Sequence, residues 1–107
     1  MNPLVEQIAK EYKSSLQQLY GNELAELVLF GSYARGDQHE ESDIDFAVVL
    51  NNPATRSFPE IEKTAPISSM LSLKYGLMVS SLIVSLRKKQ TSMQGVYQDI
   101  RKEGIVI

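Results

Sequence analysis

The order of elements written in these 107 residues predicts a small β-sheet flanked by helices. Three observations carry that expectation. Apolar residues recur at helical spacing between Leu4 and Tyr20, and two short branched runs, at Glu26–Phe30 and from Ile44 onward, read as strands. A helix, a strand and a last helix then follow between Ser57 and Gly104. The length suits one domain over residues 1–107, enough for a single core and too little for two.

Each element has its own local reason. Leu4, Val5, Ile8, Ala9, Tyr12, Leu16, Leu19 and Tyr20 form an amphipathic pattern, with Asn2 placed to cap it, Pro3 at a tolerated first position and Gly21 to stop it. ELVLF at Glu26–Phe30 is short and apolar and ends at a glycine. In the next strand Ile44, Phe46 and Val48 alternate with Asp45, Ala47 and Val49. Ser57–Tyr75 reads as a helix whose start is blurred by Pro59 and Pro66, and Gly76 closes it. LMVSSLIVSL at Leu77–Leu86 has the composition of a well-buried third strand, and LRKKQ leads from it into solvent. A last helix is expected from an N-cap at Ser92, with Met93, Val96, Tyr97 and Ile100 on one face. Met70, Met78 and Met93 fall on apolar faces and are expected in the core. Ile105–Ile107 could add to the sheet, tuck into the core or dock on a partner.

Composition narrows the function. Eleven basic against 13 acidic residues, a net charge of −2, make no case for general nucleic-acid or membrane-surface binding. Without cysteine, and with His39 as the one histidine, any metal must sit on oxygen. No apolar stretch approaches the ~20 residues that span a bilayer, and the first residues lack a secretory pattern, so a cytoplasmic location is expected.

The stretch GSYARGDQHEESDIDFAVVL, Gly31–Leu50, carries the chemistry. Asp43 and Asp45 are two apart at the head of a strand, so their side chains leave one face, with α-carbons roughly 6.5–7 Å apart. Magnesium is commonly held by one or two carboxylates plus substrate phosphates, and two such ions roughly 3.5–4 Å apart clamp both oxygens of a phosphoryl or nucleotidyl transfer. Gly31 and Ser32 open a turn where backbone amides and a hydroxyl can meet phosphate. Arg35 can offer donors to phosphate or pair with a nearby acid, and Gly36 permits the turn back toward Asp43. Either half alone is commonplace, since an Asp-X-Asp at a strand head is usually just solvated.

Together they form glycine-serine, ten residues, then Asp-X-Asp, without a gap. This string resembles the signature of minimal nucleotidyltransferase domains in the DNA polymerase beta-like superfamily. With the preceding helix, LSLKYG and the closing IRKEGIVI, the chain is similar to the small members that act as antitoxins beside HEPN-domain toxins. The resemblance implies an α+β fold with a mixed sheet of three main strands. It also implies nucleoside triphosphate, most naturally ATP, bound with Mg2+ at Gly31, Ser32, Asp43 and Asp45, with Arg35 beside them. The expected reaction is transfer of AMP to a protein acceptor, a tyrosine of the toxin.

One departure stands out. The family commonly carries a third carboxylate on the next strand, where this chain has Ser80, with Ser81 as the next candidate. A serine is neither a general base nor a strong metal ligand at neutral pH. Water, substrate, a partner, or Glu40 or Glu41 would have to substitute for it. An alternative therefore stands beside the enzyme: a catalytically weak or inactive module that neutralises a partner by occlusion. Transfer to a small molecule such as an aminoglycoside is a third reading, disfavoured because the chain has no evident second half to hold one. His39 is read as a solvated loop residue, Tyr33 as packing or as a border of the nucleotide, and Arg87, Lys88 and Lys89 as a solvent-exposed exit.

Overall fold

The computed structural model describes residues 1–107 and shows an α+β fold. Helix α1 (Pro3–Tyr20) leads through a short 3-10 turn to strand β1 (Leu24–Phe30), followed by the one-turn helix α2 (Ser32–Arg35) and strand β2 (Ile44–Leu50). Helix α3 (Ser57–Tyr75), strand β3 (Val79–Ser85), helices α4 (Leu86–Thr91) and α5 (Gly95–Glu103) and strand β4 (Ile105–Val106) complete it. The strand order is β3-β2-β1-β4, with β2 and β3 parallel and β1 antiparallel to β2 and β4. The parallel pair needs a crossover, and α3 supplies it. No helix is long and apolar enough to cross a membrane.

The caps act as their residues dictate. Asn2 accepts hydrogen bonds from the amides of Leu4 and Val5, and Gly76 ends α3 in the left-handed region at φ 71°. Pro66 lies inside α3 without ending it. Two cores follow from the alternation along β2. Ile44, Phe46, Val48 and Leu50 face α1 and α3, packing with Val5, Ile8, Tyr12, Leu16 and Leu71, whereas Ala47 and Val49 face Val28, Val84, Tyr97 and Ile100. Sheet and helices are thus layered α1/α3, sheet, α4/α5.

Several expectations change. Met70, Met78 and Met93 are exposed, because the turns that carry them face away from both cores. The last helix starts at Gly95 rather than after Ser92, with Gln94 at its cap, so Met93 lies outside it and only Tyr97 and Ile100 of the expected face are buried. LRKKQ forms α4 instead of a solvent exit. Arg87 and Lys88 are exposed, while Lys89 pairs with Glu26. The well-buried third strand is an edge strand: Ser80 is exposed and Ser81 and Leu82 are half-buried, while Val79 and Ile83–Ser85 at its two ends are covered. Ile105 and Val106 take the first of the three fates open to them and extend the sheet, pairing with Leu29 and Val28.

The edge of β3 is held by α3. Ser72 Oγ accepts the Val79 amide at 2.9 Å and Ser57 Oγ donates to the Ile83 carbonyl at 2.6 Å, so both ends of the crossover helix are fastened to the strand. Across the main core, Tyr12 is fully buried, meets Phe46 edge-on at 5.4 Å between ring centroids and shares a 2.6 Å hydrogen bond with Ser81 Oγ. Tyr12→Phe leaves the Ser81 hydroxyl without that partner and should cost about 1 kcal/mol. Phe46→Ala should cost about 3–5 kcal/mol by opening a cavity at the centre of the sheet. Urea denaturation of the three proteins checks both values, and equal losses would contradict this division of the core.

Candidate functional site

The pairing of β1 with β2 builds the site. Phe30 lies opposite Asp45, so the residue after the strand, Gly31, comes to rest against the Asp45 carboxylate. Gly31 adopts φ 75° and ψ −156°, a region essentially reserved for glycine. A Cβ placed there would lie 2.5 Å from Asp45 Oδ2. Glycine is thus required for both backbone and space.

From Gly31 the chain makes one helical turn. The Gly31 carbonyl accepts the amides of Ala34 and Arg35, and the Ser32 carbonyl accepts those of Gly36 and Asp37. The amides that open such a turn have no acceptor within it and remain available to an anion. Tyr33 and Ala34, both half-buried, pack against the main core. Gly36, at φ 82°, then turns the chain into the loop that returns to Asp43.

Asp43 is exposed just ahead of β2, and Asp45, its second residue, is half-buried. Burial pushes the Asp45 carboxyl above the ordinary aspartate range, the charge of Asp43 adds to the rise, and Arg35 opposes it. A desolvated carboxylate beside a second one is a place where a cation lowers free energy. No group of three or more acidic, histidine or cysteine side chains converges in the chain. Two carboxylates nevertheless suit magnesium, whose remaining positions are commonly taken by water and substrate phosphate.

Arg35 realises one of its two expected uses. Its guanidinium donates to Asp37 at 3.1 Å and to Glu103 at 2.9 Å, joining the start of the acidic loop to the end of α5. Glu103 was not legible as part of this cluster, since 68 residues separate it from Arg35 and no motif marks it. His39 orders the loop, accepting the Glu41 amide on Nδ1 while its own amide donates to Ser42 Oγ.

Register separates the two serines of β3. Ser80 pairs with Asp45 in the parallel ladder, whereas Ser81 pairs with Phe46 and turns to the opposite face to meet Tyr12. Ser80 alone therefore shares the face of Asp45.

With this geometry in hand, the relatives can be placed. Residues 9–107 match the family described as a nucleotidyltransferase domain. A Methanocaldococcus jannaschii protein provisionally named a protein adenylyltransferase is 33% identical over 101 residues, covering 94% of this chain and 96% of its own. Protein adenylyltransferase MntA of Thermococcus cleftensis is 31% identical over 94 residues, covering 87% of this chain and 91% of its own. A crystal structure of a toxin-antitoxin with AMP-PNP is similar over 89% of this chain and 68% of that one, with 25% identity and a TM-score of 0.56.

Two outcomes test the contact between Gly31 and Asp45. Gly31→Ala should destabilise the chain by about 1–3 kcal/mol in chemical denaturation, through strain and displacement of the carboxylate. Because the folded-state pKa of Asp45 is raised, stability falls as pH rises from the ordinary aspartate range through that raised value. Asp45→Asn should therefore melt at a higher temperature than the parent at neutral pH, with the gap closing in acid. Excess magnesium should raise the melting temperature of the parent alone; equal responses of both proteins would contradict a cation site here.

Proposed function

The chain belongs to the nucleotidyltransferase domain family, and from that premise we propose that it transfers AMP from Mg2+-ATP to a hydroxyl of a partner protein, a HEPN-domain toxin, and so acts as an antitoxin. The observation that carries this reading is the seat of the Asp45 carboxylate on Gly31, with Asp43 alongside. It joins a turn suited to phosphate with a carboxylate pair suited to a cation.

Each residue has a distinct part. Asp43 and Asp45 would hold magnesium, which when bound neutralises phosphate charge and polarises the bonds under attack. Gly31 lets the backbone approach the triphosphate and Ser32 adds a hydroxyl donor. Arg35 fixes the loop through Asp37 and Glu103 and places positive charge near Asp45. The acceptor oxygen forms a bond to the α-phosphorus as the bond to the bridging oxygen breaks, and pyrophosphate leaves with that electron pair. The acceptor proton passes to water or to a group of the partner, because Ser80 cannot take it at neutral pH. The proposed working unit is residues 1–107 as one domain, in the cytoplasm.

Ser80 also favours the second reading, a nucleotidyltransferase fold that neutralises its partner by binding alone. One experiment separates the two. The purified chain and the toxin encoded beside it are incubated with magnesium and ATP, and intact masses of both are recorded. One or more adenylates should appear on the toxin, and Asp43→Asn and Asp45→Asn should each slow transfer by at least about a hundredfold while remaining folded. Unmodified toxin held in a stable, inhibited complex would overturn transfer and leave the binding module.

A further inference from the structure

Among the acids around the candidate site, Glu103 stands apart. The stretch Gly31–Leu50 already supplies Asp37, Glu40, Glu41, Asp43 and Asp45, with Arg35 as its one arginine or lysine. Balancing the charge of Arg35 needs no further acid. The fold nonetheless brings one from 68 residues away: Arg35 Nη1 donates to Glu103 Oε1 at 2.9 Å, while Nε donates to Asp37 Oδ2 at 3.1 Å. What a second carboxylate adds to a planar guanidinium is direction. With Nε and Nη1 held, Nη2 remains for a ligand oxygen.

Glu103 is itself firmly placed. Before it, Tyr97 and Ile100 seat α5 in the second core. After it, Gly104 lies so close to β1 that a Cβ would collide with Val28 Cγ1 and with the Ile100 carbonyl oxygen. Ile105 and Val106 then pair with Leu29 and Val28, the Ile107 amide donates to the Leu27 carbonyl at 2.9 Å, and Lys13 Nζ donates to the Ile107 carbonyl at 2.7 Å. Asp37, by contrast, lies in the exposed loop. Arg35 therefore takes its orientation from the rigid partner. It is also the last residue of α2, the turn that Gly31 and Ser32 open, and its charge is felt at Asp45, where it opposes the effect of burial.

We infer that Glu103 is a positioning residue of the nucleotide site: from α5 it fixes the Arg35 guanidinium so that Nη2 meets a phosphate of the nucleoside triphosphate held on the α2 turn. The inference rests on the proposed nucleotide site and adds to it a residue outside the motif that sets nucleotide affinity. Glu103 touches no phosphate and acts through Arg35 alone. Without it, Arg35 is free to swing among the acids of its own loop, and the ordering of that side chain is left for the nucleotide to supply.

The test is a double-mutant cycle read by titration calorimetry of the full chain with ATP and excess magnesium, in the absence of toxin. The four proteins are the parent, Glu103→Ala, Arg35→Met and the double variant. By charge alone, removing an acid from beside a triphosphate tightens binding. A positioning role demands the opposite sign. Glu103→Ala should weaken ATP binding by about tenfold, with the melting temperature nearly unchanged because the ion pair is partly exposed. In the Arg35→Met background the same change should no longer weaken it. Unchanged or tighter binding in Glu103→Ala overturns the inference, and so does a loss that persists without Arg35, which would assign Glu103 to the fold alone. Failure of the parent to bind ATP overturns it as well. Full coupling in a chain that leaves the toxin unmodified supports the positioning role and sinks only the transfer reading.

Discussion

Everything in this molecule is arranged around the burial of β2. It is hydrogen-bonded on both edges, by β1 and β3, and covered on both faces, so Phe46 through Leu50 have no contact with solvent. Such a strand can carry polar side chains only where its cover ends. That place is its first residues, where Ile44 is still buried, Asp45 is half-buried and Asp43 is free. The carboxylates are thus held on a rigid strand at the one point where the fold can tolerate them.

The same constraint explains the turn before them. An antiparallel partner ending opposite Asp45 must leave the sheet without filling the space over the carboxylate, and Gly31 does so with no side chain and a backbone angle other residues avoid. The loop is then fastened from a distance by Arg35 and Glu103. Since α5 is tied to the second core by Tyr97 and Ile100, packing on that face of the sheet is coupled to the position of the loop. The raised pKa of Asp45 is the cost of this arrangement, with desolvation as its first cause.

The opposite side of the site is built differently. β3 is an edge strand paired with β2 on one side and tied to α3 through two serine hydroxyls, with Val79 buried and Ser80 exposed. That exposed Ser80 lies beside Asp45. A site closed by Gly31 on one side and open past Ser80 on the other has a direction of approach.

Local chemistry determined what the sequence could show by itself. Periodicity and caps set α1, α3 and the three main strands, and the unbroken spacing from Gly31 to Asp45 marked both halves of the site, because these features depend on near neighbours in the chain. Tertiary structure decided what depends on which face another element covers. Period alone could not tell that Ser80 rather than Ser81 accompanies Asp45, since a shift of one residue reverses a strand's faces and only the pairing with β2 fixes it. It could not expose Met70, whose apolar character reads as core until α1 and the sheet have claimed the other side of α3, nor Met78, which lies in the exposed connection between α3 and β3. Nor could it find Glu103 for Arg35 or β1 for Ile105 and Val106, because those partners meet only after the chain has folded back on itself.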